Sequence, residues 1–130
     1  MNKRIEKLLP FAFEAVKKHL TENGKISSQY NGYISSFGAS VIQSGMLMAL
    51  VFNHRKEAKT EKDRLKMMDA IHHVIEKEVG EEPTGDLLGH FQSFNGNAVV
   101  QKRLRAKIMD AATAIKLVIR TYPQKKEANE

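Results

Sequence analysis

One spacing constrains this 130-residue chain more than any other feature. Val100, Leu104, Ile108, Ala111, Ile115, Val118 and Tyr122 follow one another at steps of four, four, three, four, three and four. That rhythm lays one face of an α-helix on a core, and a strand cannot produce it. Asn95-Gly96-Asn97 offers a turn and an N-cap ahead of it, and Pro123 stops it. The chain must therefore accommodate one long helix near its C-terminal end.

The remaining segments are also helical in period. From about Lys3 to Glu22, an apolar stripe runs through Ile5, Leu8, Leu9, Ala12, Val16 and Leu20. Pro10 lies inside it and predicts a kink or a later start, and Asn23-Gly24 predicts the stop. Ile26 to Tyr33 reads as a short helix or ordered turn. Gly38 to His54 is apolar on almost every side, which predicts a helix at the centre of a bundle. Gly45 in its middle costs about 1 kcal/mol relative to alanine, a cost that close approach of a neighbouring helix would explain. Ala58 to Val79 turns Leu65, Met68, Ile71, Ile75 and Val79 inward, and Gly80 to Gly85 breaks the pattern. Asp86 to Phe94 is a short helix with Leu87, Leu88 and Phe91 inward. No stretch alternates long enough to suggest a sheet. The expectation is an all-α, single-domain bundle of five to six helices over residues 1–123. Its long C-terminal helix is followed by a polar tail, 124–130.

Charge is the second constraint. The formal net charge is +6. Between Asn97 and Lys126, eight basic residues face a single acid, Asp110, whereas the other hundred residues hold 13 basic and 14 acidic groups. The whole excess sits on one element, and a localised field of that kind attracts polyanions. On a helical projection Lys102, Arg105, Lys116 and Arg120 fall within about 60° of one another, opposite the core stripe. Lys102 and Arg120 are 18 residues apart, which spans about 27 Å and several consecutive phosphates. A mixed Arg/Lys row without interleaved Glu suits a phosphate backbone rather than base edges. These four residues are the candidate contacts to a nucleic-acid backbone.

Other chemistries find little support. With no cysteine there is no disulfide, thiolate nucleophile or Cys-bound zinc, which fits a reducing cytoplasm. The charged N-terminus does not read as a secretory leader, and the longest apolar run, Met46 to Phe52, is too short to cross a bilayer. A soluble, cytoplasmic protein is expected. Gly80 to Gly85 lacks the Lys-Ser/Thr of a phosphate loop, and no serine sits in a Gly-x-Ser-x-Gly elbow. His72 and Glu76 share a helix face, as do Asp86 and His90, but His72 borders the apolar stripe and reads as a core residue. His19, His54 and His90 read as isolated. No catalytic residue, metal site or cofactor is expected, and no enzyme.

The stretch from Tyr33 to Phe52 resembles the signature helix of the small subunit of type III-B CRISPR effector complexes, the Cmr complex. The shared features are Ile42, the polar pair Gln43-Ser44, Gly45, and the apolar run from Met46 ending in Ala49-Leu50-Val51-Phe52. Met46 stands where that family usually has leucine. The lysine-rich segment, the short Asp86-Leu87-Leu88 helix and the basic C-terminal helix follow in the expected order. The resemblance implies a non-catalytic, α-helical subunit in antiviral defence, stacked with further copies and other Cmr subunits along guide RNA and target RNA. It carries over no individual binding residue. Two other readings stay open. One is a protein–protein adaptor whose basic helix docks an acidic partner without nucleic acid. The other is a DNA-binding regulator with its recognition helix after Asn95-Gly96-Asn97.

Overall fold

The computed structural model describes residues 2–126, and among these it contains six helices and three very short strands. The first helix, α1 (Lys3–His19), is capped by Asn2, whose side chain accepts the Arg4 N–H at 2.7 Å. It passes through Pro10 as one helix. Pro10 and Glu6 are both exposed, so water can serve the Glu6 carbonyl that proline leaves without a donor.

Asn23-Gly24 does more than end α1. Both residues have positive φ, 55° and 74°, which is the condition of a two-residue type I′ hairpin turn. The turn joins β1 (Thr21–Glu22) to β2 (Lys25–Ser27), paired Glu22 to Lys25. After the last helix, β3 (Gln124–Lys125) adds to β2 in parallel, with the Ile26 N–H donating to the Pro123 carbonyl at 3.0 Å. The segment read as polar tail thus begins as a strand, and residues 127–130 lie outside the described residues. This small sheet was not expected: strands of two and three residues are too short to show alternation.

The segment from 26 to 54 departs furthest from expectation. The helix α2 (Gln29–Ser44) starts nine residues before Gly38 and ends at Gly45, where α3 (Met46–Asn53) begins. Gly45 has φ 87° and ψ 163°, a region open essentially to glycine alone, and apart from its two chain neighbours no residue places a heavy atom within 4 Å of where its Cβ would be. Backbone conformation, not close helix packing, explains the glycine. Nor is α3 central. Its Met46, Ala49 and Leu50 are buried, but Leu47, Met48, Val51 and Phe52 are exposed, as is Ile42 at the end of α2.

The helix α4 (Lys59–Glu78) is capped by Glu61, whose carboxylate accepts the Ala58 N–H at 3.0 Å. It buries Met67, Met68, Ala70, Ile71, Val74 and Ile75, while Val79, expected inside, is 56% exposed. The short α5 (Leu87–Gln92) is capped by Asp86, and α6 (Ala98–Ile119) by Asn97. The core forms where α1 lies against both α4 and α6 and α2 closes against α4 and α6. Leu8, Ala12, Val16, Ile71, Ile108 and Ile115 meet there without measurable exposure to solvent beyond a trace. At one end of the bundle α3 and α5 pack on each other and on α4. No helix among the described residues is long and apolar enough to cross a membrane.

Candidate nucleic-acid interface

The expected stripe on α6 is present. Leu104, Ile108, Ala111, Ile115 and Val118 are buried against the bundle, which turns Lys102, Arg105 and Arg120 out to solvent and leaves Lys116 half-buried. The middle of the row is formed by Met109 and Thr113, whose hydroxyl is held by the Met109 carbonyl at 3.0 Å. Alongside it runs a shallow groove of about 220 Å³ between α2 and α6. Ser35, Gly38 and Ala39 line one wall, and Met109, Thr113 and Lys116 the other. Small residues on α2 therefore give access to the central part of the basic row.

Among the described residues, none of the four cations makes an ion pair. The one acid of the segment is engaged elsewhere. Asp110 accepts from Arg4 Nε at 3.3 Å, and the same guanidinium also binds both carboxylate oxygens of Glu78. Hydrogen bonding to Glu78, opposed by burial, raises the Arg4 pKa above its ordinary value. The other two cations of the helix, Arg103 and Lys107, lie on this opposite flank and line clefts shared with α4.

A second basic cluster has no counterpart in the sequence pattern. Lys25 from β2, Lys62 and Lys66 from α4, and Lys125 from β3 surround a cavity of about 400 Å³. Asp63 faces Lys59 at 3.0 Å and Lys66 at 3.8 Å, and Glu22 faces Lys125 at 3.6 Å. Three stretches distant in sequence build it, so no local spacing could announce it.

The histidines are also better connected than expected. His19 Nε2 stands 3.4 Å from His73 Nδ1, and His73 Nε2 is 3.0 Å from Glu14. Burial, then the neighbouring His73 and Lys18, pushes the His19 pKa down to about 4. His54 accepts the Leu88 N–H at 3.2 Å and tethers α5 to the end of α3. His90 is not isolated: it reaches His72 and Glu76. Burial holds His72 below the usual histidine range, opposed by the charge of Glu76.

A family model described as CRISPR-associated protein (Cas_Cmr5) matches residues 4–120. The chain belongs to this family. It is therefore a member of the small-subunit family of type III-B Cmr complexes, a subunit of a CRISPR Cmr complex that associates with the other subunits. The match runs from the start of α1 to the last turn of α6 and takes in the whole helical bundle. Comparison with curated proteins and with solved structures returned no match. The resemblance drawn from Ile42 to Phe52 holds at the level of the family. The geometry of those residues is two helices meeting at Gly45, not one.

Proposed function

We propose that this Cmr-family subunit is a non-catalytic scaffold that binds the backbone of guide RNA and target RNA through Lys102, Arg105, Lys116 and Arg120. The observation that carries the reading is the unopposed row itself, four cations over about 27 Å of one helix face with its only local acid held by Arg4. Each cation can neutralise a phosphate and release its counterion, whatever the base, and the groove beside Met109 and Thr113 leaves room for the strand. The exposed apolar residues Leu47, Met48, Val51 and Phe52 then serve contacts with a neighbouring subunit of the complex, where burial would gain about 25 cal/mol per Å². On this reading the chain acts in the cytoplasm, as one domain over residues 1–123. A single module with four contacts binds weakly, and repeated copies along one RNA would supply avidity.

The test is isolation of the protein from its native host at low salt, with sequencing of any RNA that accompanies it. Short RNAs with a constant 5′ segment and variable remainders, together with larger partner subunits, support the proposal. Partner subunits recovered with such RNA, but with no crosslink from RNA to α6, would overturn the assignment of the basic row and leave a protein-docking role.

A further inference from the structure

Three donor atoms from two helices converge near one point at the α4–α5 junction. His72 and Glu76 stand one turn apart on α4, and α5 carries His90 onto them. His72 Nε2 lies 3.3 Å from His90 Nδ1 and 3.4 Å from Glu76 Oε1, and His90 Nδ1 lies 2.9 Å from the same oxygen. Around a tetrahedral zinc ion with bonds of about 2.0–2.1 Å, neighbouring donors stand about 3.3 Å apart. A triangle with the observed sides has a circumradius of about 1.9 Å, so a point about 0.9 Å above its plane is about 2.05 Å from all three atoms.

We propose that His72, Glu76 and His90 form a binding site for a divalent transition metal of the zinc class, with three protein ligands and one open position. Two imidazoles and one carboxylate suit zinc and its neighbours, whereas magnesium and calcium require sets made of oxygen. Glu76 and His90 also line a cavity of about 350 Å³ between α4, α5 and α6, together with Arg103 and Lys107. Two cations on that wall favour a hydroxide or another small anion as the fourth ligand. With no cysteine in the chain, no thiolate set competes for the ion.

The second histidine cluster shows what distinguishes this one. His73 turns Nδ1 to His19 and Nε2 to Glu14, at 3.4 and 3.0 Å. Because opposite edges of one ring face the two partners, no single point reaches all three residues. That cluster is a hydrogen-bonded chain across α1 and α4, whereas in His72, Glu76 and His90 one nitrogen of each ring and one carboxylate oxygen all lie within 3.4 Å of one another. The ion would fasten the six-residue α5 to the long α4, next to the loop of residues 80–86.

The full chain, stripped with a chelator and dialysed against micromolar zinc, tests the site by metal content and thermal unfolding. One zinc per chain is expected, with a rise in the unfolding midpoint and, on cobalt substitution, the intense visible bands of four-coordinate cobalt. His90→Ala should abolish these, and Glu76→Gln should weaken zinc by at least roughly tenfold, the scale seen for disturbed metal shells. His19→Ala, at the other cluster, should leave zinc unchanged. Circular dichroism of each variant checks that it is folded. Absence of retained zinc in the wild-type chain, or equal zinc in folded His90→Ala and Glu76→Gln, would overturn the site.

Discussion

Arg4 on α1 and Asp110 on α6 face each other at 3.3 Å, 106 residues apart in the chain. This contact keeps the only acidic side chain between Asn97 and Lys126 away from Lys102, Arg105, Lys116 and Arg120. It also fastens the first helix to the last. Glu78 is the more buried partner of the same guanidinium, with 10% of its side chain exposed against 34% for Asp110. Arg4→Met therefore strands a largely buried carboxylate and should cost about 1–2 kcal/mol. Asp110→Asn should stay within about 0.5 kcal/mol, as for most exposed pairs. Urea unfolding monitored by circular dichroism separates the two, and equal losses would contradict this division of roles.

Reversing charge at Lys102 and Arg105 should weaken RNA binding by the same factor for every sequence, because phosphates carry no base identity. Four phosphate contacts on a single strand give a log–log salt slope of roughly −3, and reversing two should leave it no steeper than roughly −1.4. Filter binding or anisotropy across a salt series reads both quantities. An unchanged slope in the double variant would remove these residues from the interface.

Gly45→Ala should destabilise the fold by about 1–3 kcal/mol, the usual cost of holding a residue with a side chain at such a φ and ψ. The open space around the position means that no clash contributes, so Gly45→Ser should cost about as much as alanine. A smooth increase with side-chain volume would instead point to packing.

The legible parts of the fold were those with long, regular patterns. Twenty-two residues of α6, bracketed by Asn97 and Pro123, repeat one period often enough to fix the element, its inner face and its basic outer row. Gly45 carried no such information, since a glycine tolerated for close packing and one required for positive φ read alike in a sequence. The apolar run after it implied burial, but composition does not say whether the covering surface belongs to the same chain, and α3 turns half of that run outward. His72 and His90 are 18 residues apart on different helices, so only the packing of α5 on α4 brings them together. Lys25, Lys62 and Lys125 converge for the same reason, through a sheet whose strands are too short to leave a trace.

Acid sensitivity should arise partly at His19. Its folded pKa is about 4, depressed by burial and then by His73 and Lys18, against about 6.5 in the unfolded chain. Between these values the unfolded state binds a proton that the folded state does not. Stability therefore falls as pH drops from about 6.5 to about 4, and this contribution levels off below that range. His19 is half-exposed, so solvent screening limits the effect to about 1 kcal/mol. His73 faces the ring from α4, and Glu14, on α1 like His19 itself, lies on the far side of His73. Urea midpoints at pH 7 and pH 5 should differ less for His19→Gln than for the wild-type chain, and parallel shifts would exclude His19 as the source.

The outer face of α3 gives the sharpest separation of stability from assembly. Met48 is 62% exposed and packs on little of its own chain, so Met48→Ser should change stability by less than about 0.5 kcal/mol. Phe52 is different, because Arg64 and Arg55 lie over its ring at 5.0 and 5.8 Å. Phe52→Ser gives up those cation–π contacts and should cost about 1 kcal/mol or more. In a Cmr complex both substitutions place a polar group where a neighbouring subunit would bury an apolar one, and both should lower the share of the chain recovered with the other subunits. Full recovery of Met48→Ser in the assembled complex would show that this face remains in water and that subunit contacts lie elsewhere on the bundle.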